Sequence, residues 1–191
     1  MKKLFFGLIA TIMFVATGNA QGTLRADFLK GKSYDEVKNS YIVLDKKTKI
    51  ALWNEKLSQI LTQKLDDKIK SGVVSLQKEF SNDVLNTDNI KQIALYFTDN
   101  MSEEQFEDMF LKLDDYIAKD YKPTSVLDGY KAQINEQNMN FEPTTIDTTG
   151  RKIPCNCDWS CSSMCSKPTK NCAMTSSGCG FLWAFECTQA C

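Results

Sequence analysis

The residues of this chain best suited to chemistry are its eight cysteines, and all of them lie within the last 37 residues. They occupy about one position in five of this segment, which is typical of a disulfide scaffold. The chain contains no histidine, which excludes Ser–His and Cys–His nucleophile pairs. The candidate residues are Cys155, Cys157, Cys161, Cys165, Cys172, Cys179, Cys187 and Cys191.

The N-terminus indicates the compartment in which these thiols act. Lys2 and Lys3 precede an apolar run over residues 4–16, and Gly18-Asn19-Ala20 supplies small residues before Gln21. This pattern predicts a secretory signal peptide that signal peptidase removes after Ala20. The run is too short to serve as a permanent membrane anchor. We therefore expect a secreted product, in an environment where thiols pair.

Eight cysteines in an exported chain predict four disulfides, whose pairing the sequence leaves open. A segment of fewer than about 40 residues rarely buries enough apolar surface to fold alone. Each disulfide adds about 2–4 kcal/mol of stability, mainly by restricting the unfolded chain. The alternative is zinc held by four thiolates at a time, but the usual C-x2-C spacing is missing. We predict neither cofactor nor bound metal.

The cysteine-rich tail also carries large apolar side chains. In so small a peptide they cannot all be interior, and exposed aromatic surface is typical of membrane or partner contact. Packing over the disulfides is the alternative. Gly178 and Gly180 flank Cys179, which predicts a tight turn with positive φ. The predicted contact residues are Trp159, Phe181, Leu182, Trp183 and Phe185.

The region before the tail shows apolar residues at helical spacing. One stripe predicts a helix over 50–70, with Ser71-Gly72 ending or kinking it. Thr87 or Asp88 would cap the next helix, which Asp99-Asn100 ends. Ser102 with Gln105 forms a capping-box pattern before a stripe that runs to Ile117. Pro123 opens a last helical segment, and residues 33–44 are a weaker candidate. The charge pairs in this region are expected to face solvent.

Residues 138–152 lose the helical period and contain Pro143 and Gly150, which predicts a flexible linker. Arg151-Lys152 is a plausible processing point, because exposed linkers are where proteases cut. We therefore predict a mainly α chain with a small disulfide-rich module after the linker. Its parts are a signal peptide (1–20), a propiece-like helical domain (21–137), the linker (138–152) and the tail (153–191).

The tail resembles the family of bacteriocin fulvocin C-related proteins. The resemblance rests on Cys155-Asn156-Cys157, Cys161-Ser-Ser-Met-Cys165 and Ser177-Gly178-Cys179-Gly180 followed by Phe181-Leu182-Trp183. It implies an exported antibacterial peptide that acts on the envelope of target cells or on a receptor there. The long preceding region departs from a simple short leader.

Three hypotheses follow from the sequence. The first is a secreted bacteriocin precursor, not an enzyme, whose tail a processing protease releases. The second is an uncleaved extracellular binding or surface protein with a disulfide-stapled tail. The third is an exported zinc-holding protein. A formal net charge of −1 gives no reason to expect a nucleic acid partner.

Overall fold

A computed structural model describes the backbone of residues 23–121, 127–144, 153–154, 172–173 and 175–187. Side chains are described for 23–121, 127–144 and 177–186. The prediction of a mainly helical chain is confirmed. Within these residues seven helices occur: α1 (Leu24–Leu29), α2 (Tyr34–Ile42), α3 (Lys46–Leu61), α4 (Asp67–Phe80), α5 (Thr87–Asn100), α6 (Glu103–Phe110) and α7 (Asp128–Glu136).

Side-chain caps set the start of several helices. At α2 the hydroxyl of Ser33 accepts from the amide of Glu36 (3.4 Å), and the Glu36 carboxylate accepts from the amide of Ser33 (2.7 Å). This reciprocal capping box explains why the weaker candidate over 33–44 is a helix. At α6 the Ser102 hydroxyl accepts from the Gln105 amide at 3.2 Å, which confirms the predicted start. The cap of α5 is Asn86, one residue before the predicted Thr87.

The prediction of one helix over 50–70 is wrong, because two helices share this stretch. α3 ends at Leu61 and α4 begins at Asp67. The carboxylate of Asp66 caps α4 by accepting from the amide of Lys68 at 2.8 Å. The apolar spacing continues across the break, so periodicity alone did not reveal it. Gly72, predicted to end or kink the helix, lies inside α4, where a Cβ would come within 2.6 Å of Phe97.

The stripe of apolar residues predicted to follow Ser102 runs past the end of α6. α6 ends at Phe110, and the chain continues without helix through residue 121. Leu113 is buried in this irregular segment, whereas Ile117 is 73% exposed. At α7, Tyr130 and Ile134 are buried as the helical pattern indicates. Pro123 and Val126 lie outside the described residues.

Two short pairs of strands follow the helices. Strand β1 (Ile153–Pro154) pairs in parallel with β2 (Cys172–Ala173), with Ile153 opposite Cys172. Strand β3 (Thr175–Cys179) pairs antiparallel with β4 (Phe185–Cys187), with an irregular register between them. A turn of 3-10 type over Phe181–Trp183 connects β3 to β4.

The helices and residues 181–185 share one apolar core. Residues 181–185 belong to the same buried cluster as the side chains of α2 to α7. The start of the predicted linker is also packed, since Met139, Phe141 and Thr144 are buried. The Asn140 amide donates to the Ala184 carbonyl at 2.6 Å. Residues 138–144 are therefore part of the fold, and residues 177–185 are not a separate body.

Candidate functional site

Trp183, which is 1% exposed, lies in a pocket, or seat, formed by aromatic side chains of the helices. Its ring meets the rings of Tyr34, Tyr41 and Trp53 edge to face, with centroid distances of 6.0, 5.0 and 5.7 Å. Tyr34 and Tyr41 come from α2 and Trp53 from α3, so two helices form the seat. Edge-to-face pairs of this kind contribute about 0.5–1.5 kcal/mol each beyond the area they bury.

Each polar group in this seat has a partner. The indole Nε1 of Trp183 donates to the Leu111 carbonyl at 2.9 Å, and the Tyr41 hydroxyl donates to the Leu182 carbonyl at 3.3 Å. Trp53 Nε1 donates to the Tyr41 hydroxyl at 3.0 Å. Burial raises the pKa of Tyr41, so its hydroxyl stays protonated. These bonds orient the tail segment, whereas apolar burial supplies most of its binding free energy.

Phe181 packs against a second group of aromatic side chains, which form its seat. Its ring lies 4.9 Å from Phe110, 5.7 Å from Phe106 and 6.4 Å from Phe97. These partners come from α5 and α6. The segment from Phe181 to Phe185 thus joins the two halves of the helical region, and it completes their core.

The backbone of this segment is unusual. Gly178 and Gly180 have φ of 118° and 67°, which confirms the predicted turn around Cys179. Leu182 and Trp183 also lie in the left-handed region, at 56° and 51°. Such angles cost a non-glycine residue about 1–3 kcal/mol and persist only where packing enforces them. Here burial of the two side chains supplies that compensation.

A buried cluster around Lys49 joins α3 to the tail. Lys49 Nζ donates to the Glu142 carbonyl at 2.7 Å and to the Ser177 hydroxyl at 3.2 Å. The hydroxyls of Ser177 and Thr144 lie 3.2 Å apart. Burial lowers the pKa of Lys49 to about 8, although Glu142 and Asp45 act in the opposite direction. A lysine and a serine at this distance have the composition of a Ser–Lys nucleophile pair. Ser177 is fully buried, however, so the cluster is suited to fastening segments together.

A second buried lysine, Lys56, supports the irregular segment after α6. Its Nζ donates to the Asp114 carbonyl, and the Arg25 guanidinium donates to the Leu113 carbonyl and to Asp115. Buried carbonyls outside a helix need such donors. Burial and the nearby Arg25 together lower the pKa of Lys56 to about 7, although Asp114, Asp115 and Asp108 act in the opposite direction.

The placement of the predicted site residues is mixed. Cys179 is fully buried and disulfide-bonded. Cys172 lies in β2 and Cys187 ends β4, with their backbone alone described. The remaining predicted residues lie outside the described part of the chain: Cys155, Cys157, Cys161, Cys165 and Cys191, the contact residue Trp159, and the cleavage candidates Ala20, Arg151 and Lys152. The roles predicted for these residues stay predictions.

The prediction of exposed contact surface is wrong for four residues. Phe181, Leu182 and Phe185 are fully buried, and Trp183 is nearly so. The prediction treated the tail as a peptide that must bury its own apolar side chains. The helices supply the core instead, so no exposed patch results from these four.

Lys49 and Lys56 were not among the predicted site residues. A signal for them exists: they lie seven residues apart, on the same stripe of α3 as the apolar Leu52 and Trp53. A lysine on an apolar stripe is almost never buried unless its ammonium group has partners. That pattern therefore predicts buried acceptors, although it cannot identify them.

Together these features define a helical protein whose C-terminal segment completes its core. No known family model, curated protein or solved structure matches the chain. Among the described residues no cluster of three or more metal-ligating side chains occurs. No helix in this part of the chain is long and apolar enough to cross a membrane.

Proposed function

We propose that the chain is an exported binding protein that acts uncut. The observation that carries this proposal is the burial of residues 181–185 in the helical core. A tail that supplies central core residues is poorly suited to serve as a removable effector. Its removal would leave the seats of Phe181 and Trp183 empty, and empty apolar cavities are costly.

We assign the contact role to residues 155–171. The pairing of β1 with β2 places Ile153 opposite Cys172, so the described residues on either side of this segment lie next to each other. It contains four cysteines and Trp159. The burial of the other four predicted contact residues does not bear on Trp159, so it remains the candidate for contact. Disulfides within such a segment would lower the entropy lost on binding. A bacterial envelope or a receptor on a target cell is the partner that we propose.

Intact-mass measurement of the protein from culture supernatant tests this proposal. We expect one species that starts at residue 21, ends at residue 191 and is eight hydrogens lighter than its reduced form. A fragment near residues 153–191 as the main product would overturn the proposal. Free thiols with stoichiometric zinc would favour the metal-holding alternative.

A second candidate function is the bacteriocin precursor. The observation that favours it is that helices α2, α3, α5 and α6 cover the aromatic side chains of the tail, as an inhibitory propiece would. Growth-inhibition assays distinguish the bacteriocin precursor from the uncut binding protein. They compare the oxidised tail, its reduced and alkylated form, and the full chain. The precursor function requires that the oxidised tail alone inhibits growth. Inactivity of this tail beside an active full chain would exclude the precursor.

A further inference from the structure

Two lysines project from one face of α3 into the core. Both Lys49 and Lys56 are fully buried, and backbone carbonyls receive their ammonium groups. Within the residues that the structure describes, neither forms an ion pair with a carboxylate. Burial of an ammonium group without an opposite charge is expensive, and the cost vanishes when the group loses its proton.

Because Lys49 contacts the tail, the free-energy cost of burying its ammonium group affects how the tail docks. Its Nζ touches Ser177 of β3 and the Glu142 carbonyl, which belongs to the segment that leads towards the tail. We propose that Lys49 is a proton-controlled clamp, so that the C-terminal segment docks more tightly on the helices when the external medium is alkaline. This role goes beyond the proposed function and applies to the uncut chain and to the precursor alike.

The carboxylates around Lys49 partly offset the effect of burial on its pKa. Asp45 caps the same helix, and Glu142 faces it from the segment after α7 and is also paired with Lys46 at 3.2 Å. From α2 the Tyr41 ring lies 5.4 Å from Nζ. From the tail, the group in contact is the neutral hydroxyl of Ser177. Burial outweighs the two carboxylates, since the pKa of Lys49 falls from 10.5 to about 8.

The sign of the pH effect follows from this difference. An open state exposes Lys49 to water, where it takes up a proton as the pH falls through about 10.5. The docked state takes up that proton only near pH 8. Docking is therefore strongest at alkaline pH and weakens as the pH falls through this window. Proton linkage with these two values gives a docking constant about tenfold higher at pH 9 than at pH 6.5.

Lys56 offers a matched control on the same helix face. It is equally buried and binds a backbone carbonyl, but its partner Asp114 lies in the irregular segment after α6. Its proton should therefore affect that segment, whereas the proton of Lys49 should affect the tail.

Hydrogen exchange on the full-length oxidised protein tests the clamp. Peptides from residues 175–187 and 111–116 would be followed between pH 6.5 and 9. Unstructured peptides of the same sequence correct for the chemical pH dependence of exchange. In the unmodified protein we expect protection of 175–187 to rise about tenfold over this range. K49M should remove the rise there and leave 111–116 unchanged, whereas K56M should do the reverse.

The substitution K49R keeps the test decisive if K49M fails to fold. A guanidinium group does not lose its proton over this range, so K49R should also remove the rise in residues 175–187. The clamp is refuted if either Lys49 variant that folds keeps the full rise in 175–187, or if the unmodified protein shows none.

Discussion

Replacement of Trp183 by alanine should destabilise the whole protein. Trp183 is 1% exposed and lies edge to face against Tyr34, Tyr41 and Trp53. Truncation of a buried tryptophan costs about 3–5 kcal/mol. Loss of the Nε1 donor to the Leu111 carbonyl adds about 1 kcal/mol, because the Tyr34 hydroxyl remains 3.5 Å from this oxygen. The expected loss of about 4–6 kcal/mol approaches the total stability of many domains.

Urea unfolding of the oxidised full chain, followed by helical circular dichroism, measures this loss. Because the helices and the tail share one core, the helical signal itself should shift to lower urea. The control is Ile117→Ala, at a side chain that is 73% exposed, which should change stability by less than about 0.5 kcal/mol. A cost below about 1.5 kcal/mol for Trp183→Ala would refute the placement of the tail in the core.

Three further predictions use the same assay. Gly180→Ala should cost roughly 1–3 kcal/mol, because φ is +67° and a Cβ would lie 2.5 Å from Gln133 Oε1. Gly129→Ala, inside α7 with open space around it, should instead stabilise by about 0.5–1 kcal/mol. Gln133→Met should stabilise by about 1 kcal/mol, because neither polar atom of this buried amide has a partner among the described residues. A lower unfolding midpoint for Gln133→Met would contradict that reasoning.

The local features of the helices could be predicted from the sequence. Ser102 and Gln105 mark the start of α6, and Ile90, Ala94 and Phe97 lie buried in α5 as their helical spacing indicates. These signals depend on residues three or four apart, which a helix brings together without help from the rest of the chain. The break between α3 and α4 was missed because apolar residues happen to continue in phase across it.

The architecture of the tail could not be predicted in the same way. The density of cysteines indicated a self-contained scaffold, and this led to the expectation that Phe181 and Trp183 are exposed. Their partners, such as Phe110 and Trp53, lie more than 70 positions earlier in the chain. Contacts at this separation leave no periodic trace in the sequence. The positive φ at Gly180, in contrast, is a local property and was predicted correctly.

The attachment of the tail determines what a proteolytic cut between residues 145 and 152 would achieve. No cysteine precedes Cys155, so disulfides cannot join the tail to the helices. Burial of three aromatic side chains removes roughly 600 Å² from water, which is worth about 15 kcal/mol. Association of two separate pieces costs about 4–15 kcal/mol. The gain from burial equals or exceeds this cost, so a cut would not by itself expel the tail. A nicked chain alone would not establish a released bacteriocin, since release requires that the tail also leaves its seats.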